Sequence, residues 1–178
     1  MQFRPMVEMT ADIIWDLDKV PAGCSEKIRR FIDYWRAQHQ GDNLPGRQHI
    51  DPIDFPDLLP NIRLVDVVGD PPRFKVRLTG ERVSDHFGRS LTGQYFDDVF
   101  DQFENRESCK AFIKTMENRR PYWNLGVCDL NPEKDFVPFE RLVLPLASDG
   151  RTVDMLLVLS LFGERAVDPV FYAKVVAR

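Results

Sequence analysis

Residues 73–79, Arg73-Phe74-Lys75-Val76-Arg77-Leu78-Thr79, alternate polar and apolar without a break. A period of two marks a β-strand with one wet and one dry face. Phe74, Val76 and Leu78 are predicted to share the dry face, which the rest of the chain must cover. Just upstream lies Gly69-Asp70-Pro71-Pro72, a strong turn signal, preceded by the β-rich run Ile62 to Val68. Together the two runs predict an antiparallel hairpin.

Three more strands are predicted towards the C-terminus: Tyr122 to Leu130, Phe139 to Ala147 and Val153 to Phe162. Ser148-Asp149-Gly150 joins the last two as a hairpin-type turn. The link from Asn131 to Pro138 is charged and proline-containing, as a solvated loop would be. Between the strand groups, Cys109, Phe112, Ile113 and Met116 repeat at helical spacing, predicting a helix from about Phe103 to Asn118. A second helix starts after Ser25, a suitable N-cap. Ile28, Phe31, Ile32 and Trp35 form its apolar stripe, which must cover the sheet or pair with a second copy. Four prolines between Asn43 and Pro60 rule out a long helix or a central strand there. Ile13, Ile14, Trp15 and Leu17 are apolar but show no period. The order predicts an α+β fold: a five-stranded antiparallel sheet with helices on one face, plus an N-terminal helical extension. Residues 1–60 are the extension and connector, 61–163 the core and 164–178 a tail.

This order and several segments within it resemble the PAS-domain family. Phe74-Lys75-Val76-Arg77-Leu78-Thr79-Gly80, then Gly88-Arg89-Ser90-Leu91-Thr92-Gly93, is similar to the second strand and short-helix region of PAS domains. Leu44-Pro45-Gly46-Arg47, Asp51-Pro52, Leu58-Leu59-Pro60 and Glu140-Arg141-Leu142-Val143-Leu144-Pro145-Leu146 look like a bacterial group of stand-alone PAS proteins. The resemblance spans about residues 24 to 163. It implies a fold and an internal cavity, used for a cofactor or metabolite or simply for dimerisation, and it implies no reaction. The output would then pass through a second copy, as a homodimer, or through a separate protein.

Composition removes other classes. The 178-residue chain carries a net charge of -4, the wrong sign for a general grip on nucleic acid. No apolar run approaches the ~20 residues a membrane helix needs, and residues 1–10 do not read as a signal peptide. The three cysteines, Cys24, Cys109 and Cys128, fit neither a disulfide framework nor a zinc motif, so a reducing, cytoplasmic setting is expected. The PAS resemblance implies that haem ligation would need a histidine on the 103–118 helix, which has none. A photoactive flavin–thiol adduct needs a cysteine context that Asn105-Arg106-Glu107-Ser108-Cys109-Lys110 does not match. The cofactor, if any, stays unknown.

No hydrolase elbow, P-loop or dinucleotide motif is present. His49 with Asp51 and Asp54 is too thin a set for a metal. His86, next to Phe87, is expected to be a surface or hydrogen-bonded residue rather than one at a cavity entrance. Asp97, Asp98, Asp101 and Glu104 precede a helix and suit its N-terminal dipole, with Asp101 as cap. On the third strand either Tyr122, Asn124 and Cys128 or Trp123, Leu125 and Val127 face inward. The expected cavity is lined by Phe74, Val76, Leu78, Phe87, Phe96, Phe112, Met116, Trp123, Leu142, Leu144, Met155 and Leu157. The expected association surface is Ile28, Phe31, Ile32 and Trp35. The function expected is a non-catalytic sensor for a small apolar or amphipathic ligand. A ligand-free interaction domain is the alternative. An enzyme on a similar fold would need a buried histidine or carboxylate, and the positions assigned inward supply none.

Overall fold

In the computed structural model, residues 11–14, 23–134 and 137–164 are described. Strands β2 (Ile62–Val68) and β3 (Arg73–Thr79) form the predicted hairpin. Helices α2 (Glu81–Phe87), α3 (Phe96–Val99) and α4 (Glu107–Asn118) lead on to β4 (Tyr122–Val127), β5 (Pro138–Leu146) and β6 (Met155–Phe162). These five strands pair antiparallel, as expected, in the order β4-β5-β6-β2-β3. A short strand, β1 (Ala11–Ile14), adds to the outer edge of β4. It was not anticipated, because four residues show no usable alternation. Trp15, Leu17 and the tail beyond Glu164 lie outside the described residues.

Helix α1 (Glu26–Ala37) starts where Ser25 caps it, the side chain accepting from the Ile28 amide. Its stripe of Ile28, Phe31, Ile32 and Trp35 is fully buried within the chain. The partner is the sheet. The Ser25 amide donates to Glu140 Oε1 at 2.8 Å, and Trp35 Nε1 donates to the Pro145 carbonyl at 3.1 Å. Pro145 lies beyond Val143, the last β5 residue opposite Tyr122 of β4, so its carbonyl is free for Trp35. The stripe is therefore not an association surface. Its apolar area is already removed from water within the chain, with β5 beneath it and the connector ring of Phe55 5.0 Å from Phe31, and nothing is left to offer a second copy.

Successive strand residues point to opposite faces, and paired residues share a face. Glu140 thus assigns Leu142, Leu144 and Leu146 to the α1 side, with their partners Trp123, Leu159, Leu157 and Met155. Arg141, which bonds to Ser108 of α4, assigns Val143, Val158, Tyr122, Asn124, Ser160 and Arg63 to the other side. The central strands β5 and β6 are consequently buried on both faces. Their nearly unbroken apolar runs, Leu142–Ala147 and Met155–Leu159, are what two-sided burial looks like in a sequence. One buried cluster runs from α1 through the connector into the sheet.

Gly80 joins β3 to α2 where no side chain fits. A Cβ there would stand 2.4 Å from the Leu59 carbonyl oxygen. This packs the start of α2 onto the turn Leu59–Asn61 and sets its far end, at His86 and Phe87, over the sheet.

Candidate functional site

Between the sheet and helices α2, α3 and α4 lie two buried arginines. Arg141, on β5, is fully engaged. Its Nε donates to Asn124 Oδ1 at 3.0 Å and its Nη1 to Ser108 Oγ at 2.6 Å. The Ser108 hydroxyl in turn donates to Asp129 Oδ1 at 2.6 Å, and the Ser108 amide donates to Asp129 Oδ2 at 3.1 Å. Asp129 thus neutralises Arg141 through one hydroxyl and also caps α4 from outside the helix. That is the role expected of Asp101. Asp97 and Asp98 are held instead by Arg73, at 2.7 and 2.8 Å.

Arg63, on β2, is 2% exposed and has no such partner. Its guanidinium sits 5.3 Å from the Phe96 ring centroid and 5.6 Å from that of Phe87. Nε and Nη1 find no acceptor among the described residues. Burial pulls its pKa down to about 10, so it stays charged at neutral pH. The Cys128 thiol nearby is pushed up by burial and stays protonated.

His86 closes α2. It is 6% exposed, not a surface residue. Its ring stacks on Phe162 at 3.9 Å, and Nε2 has no partner among the described residues. Burial, helped by the positive charges of Lys134 and Arg63, lowers its pKa to about 4. The folded chain therefore keeps His86 neutral where the unfolded chain, with an ordinary value near 6.5, takes up a proton. Its contribution to stability is full above pH ~6.5 and is lost as pH falls towards 4. Acid unfolding should show this. Between pH 7 and 4 the wild type is expected to lose up to about 3 kcal/mol more than a His86→Phe variant. Parallel pH–stability curves for the two proteins would contradict the assignment.

Two openings meet at this end of α2 and share His86 and Lys134. One, of about 200 Å³, is walled by Phe87, Leu91, Phe100 and Leu130. The other, of about 450 Å³, lies between Asn61, Arg82 and Phe162. The loop after β4 is tied down beside them, with Asn131 Nδ2 donating to the His86 carbonyl at 2.7 Å and Lys134 Nζ to that of Asp85 at 3.1 Å.

The expected cavity lining is divided by these positions. Phe74, Val76, Phe96 and Phe112 are buried together under the helices, with Phe87 and Met116 half-buried beside them. Trp123, Leu142, Leu144, Met155 and Leu157 lie across the sheet, beneath α1. Leu78 is 47% exposed. A bulge opposite Leu64 and Val65 pairs Leu78 with Leu64 and Val76 with Val65, reversing the faces within β3. Rings fill much of the assigned space: Phe74 and Phe96 each stand 5.2 Å from Phe112, and Phe103 is 5.0 Å from Phe96. The open volume lies further out, against Phe87.

The interior does contain a histidine and a carboxylate, His86 and Glu140. They form no acid–base pair. Glu140 faces α1, where it also accepts from Trp123 Nε1 at 2.9 Å. His49 Nδ1 accepts from the Gly46 amide, and Asp51 Oδ1 from the Ile53 amide. No group of metal-binding side chains occurs among the described residues, and no described helix is long and apolar enough to cross a membrane. Arg63 and Arg141 were missed as site residues. Their signal was a charge inside an apolar strand.

A five-stranded antiparallel sheet covered by helices, with an enclosed polar cluster, defines an α+β domain of the kind the element order predicts. A family model described as a PAS domain matches residues 24–160. The chain belongs to the PAS-domain family, and it is a sensory or signalling module in that general sense. Among solved structures it is similar to that of an RNA-binding light-oxygen-voltage receptor, with a TM-score of 0.47 and 11% identity. The match covers 94% of this chain and 40% of the receptor chain. No curated protein matches.

Proposed function

We propose that the chain is a non-catalytic PAS sensor whose small amphipathic ligand lodges on the face covered by α2, α3 and α4. The observation that carries this reading is Arg63, a buried cation with unmatched donors beside an aromatic-walled opening. A core built only for packing has no use for such a group, because an unpaired buried charge destabilises the fold. Occupancy is read by a second copy or by a separate output protein. The three free thiols suit a reducing cytoplasm.

Protein purified gently and then denatured should release a small molecule at a fixed ratio, seen by mass spectrometry. A metabolite library should also raise the melting temperature. An empty protein that responds to nothing would refute the reading.

One observation favours a ligand-free interaction domain. The rings of Phe74, Phe96, Phe103 and Phe112 already occupy the middle of this face. A partner would then use the outer strand β3, where Leu78 stands exposed, as does Val68 at the far end of the paired strand β2. Charge at Leu78, as in Leu78→Glu, should convert such a dimer to monomer in light scattering and leave a ligand sensor unaffected.

A further inference from the structure

Resting on that reading, we infer that the ligand is a small amphipathic carboxylate, its acid group held by Arg63 and its apolar body lying against Phe87, Leu91 and Phe100.

Charge selects the sign. The two buried arginines differ in one respect. Arg141 reaches Asp129 through Ser108, whereas Arg63 Nε and Nη1 find no acceptor among the described residues and its guanidinium lies over the faces of Phe87 and Phe96. Ring faces return part of the cost of burying a cation, and a matched anion returns far more. Of the charged groups that line the opening, Arg89 and Lys134 are positive and Glu133 is negative, and Arg141 on β5 adds a further positive charge near Arg63, so the balance is positive. A cationic ligand would be repelled and a neutral one would leave Arg63 unmatched.

Surroundings select the class. One unmatched guanidinium neutralises one negative charge, and its walls are aromatic. A phosphate dianion would bury a second charge with no counterpart, whereas a monocarboxylate balances the site.

Access runs past Phe87. Its ring stands 5.6 Å from the Arg63 guanidinium, 5.1 Å from His86 and 5.7 Å from Phe100, and it lines the 200 Å³ opening. It is the last residue of α2, followed by Gly88 at φ 69°, a left-handed stop that releases the chain from the helix. Phe87 is thus the ring that both lines the opening and covers the Arg63 guanidinium.

The test is melting of the full chain at pH 7.5 with hexanoate and benzoate, against hexanamide and benzamide as neutral probes of the same shape. The acids should raise the melting temperature and the amides should not. In Arg63→Met the affinity for the acids should fall by at least about tenfold, and Arg63→Lys should keep part of it. Equal effects of acid and amide, no effect of either acid, or acids acting equally on Arg63→Met would each overturn the inference. The comparison of acid with amide on the wild type needs no variant to fold. A neutral molecule released from the purified protein would sink the carboxylate while leaving the sensor reading intact. An empty, unresponsive protein would sink both.

Discussion

Trp35→Ala is expected to cost about 3–5 kcal/mol of stability, read from the midpoint of chemical denaturation. The indole is wholly buried, and its Nε1 supplies the hydrogen bond to the Pro145 carbonyl. Truncation leaves a large cavity between α1 and the sheet and strands that carbonyl. Domains of this size have total stabilities of about 5–15 kcal/mol, so the loss takes a large share of the whole. Trp35→Phe keeps most of the volume and loses the hydrogen bond, so it should cost much less. Deletion of residues 1–40 goes further. It uncovers Trp123, Leu142, Leu144 and Leu157 together, and the product is expected to aggregate. If α1 were an interface between copies, both changes would yield a well-folded monomer instead. A Trp35→Ala protein of unaltered stability would mean that α1 does not belong to the core.

Asp129→Ala is expected to cost about 3 kcal/mol or more. The carboxylate does two things at once. It accepts from the Ser108 amide at the start of α4, and through the Ser108 hydroxyl it answers the charge of Arg141. Its removal leaves two buried arginines on one face of the sheet without a counter-ion. Asp129→Asn keeps an acceptor near Ser108 and should fall between the two. Arg141→Met removes the charge that Asp129 answers, so the double variant should lose less than the sum of the single losses, by 1 kcal/mol or more. Strict additivity would show that Ser108 does not couple them.

The same pair of faces explains which parts of the molecule were readable in advance. β3 alternates in sequence and in burial from Arg73 to Val76, and the hairpin, the helices α1 and α4 and the succession of five strands along the chain all follow from such local patterns. β5 and β6 carry no alternation to read. Covered on both sides, they are apolar throughout, and a lining deduced from every second residue picked the side that belongs to α1. The bulge at Leu64 and Val65 leaves no trace in composition, yet it turns Leu78 outwards. Arg63 and Arg141 stood in plain view. A strand's pattern tells where a charge is tolerated, but whether that charge finds a counter-ion depends on a residue such as Asp129, placed by a turn after β4.

The placement of α1 also bears on how the chain reaches its native state. Its contacts with Glu140 and Pro145 span 115 and 110 residues of sequence. Such separations make loop closure costly and folding slow. On the ribosome, the stripe from Ile28 to Trp35 emerges more than a hundred residues before strand β5, which holds it through Glu140 and Pro145, and it must wait in solution until that strand exists. The helix that seals the finished sheet is thus the segment most exposed to misassociation during synthesis, and the one whose early protection would most improve the yield of folded protein.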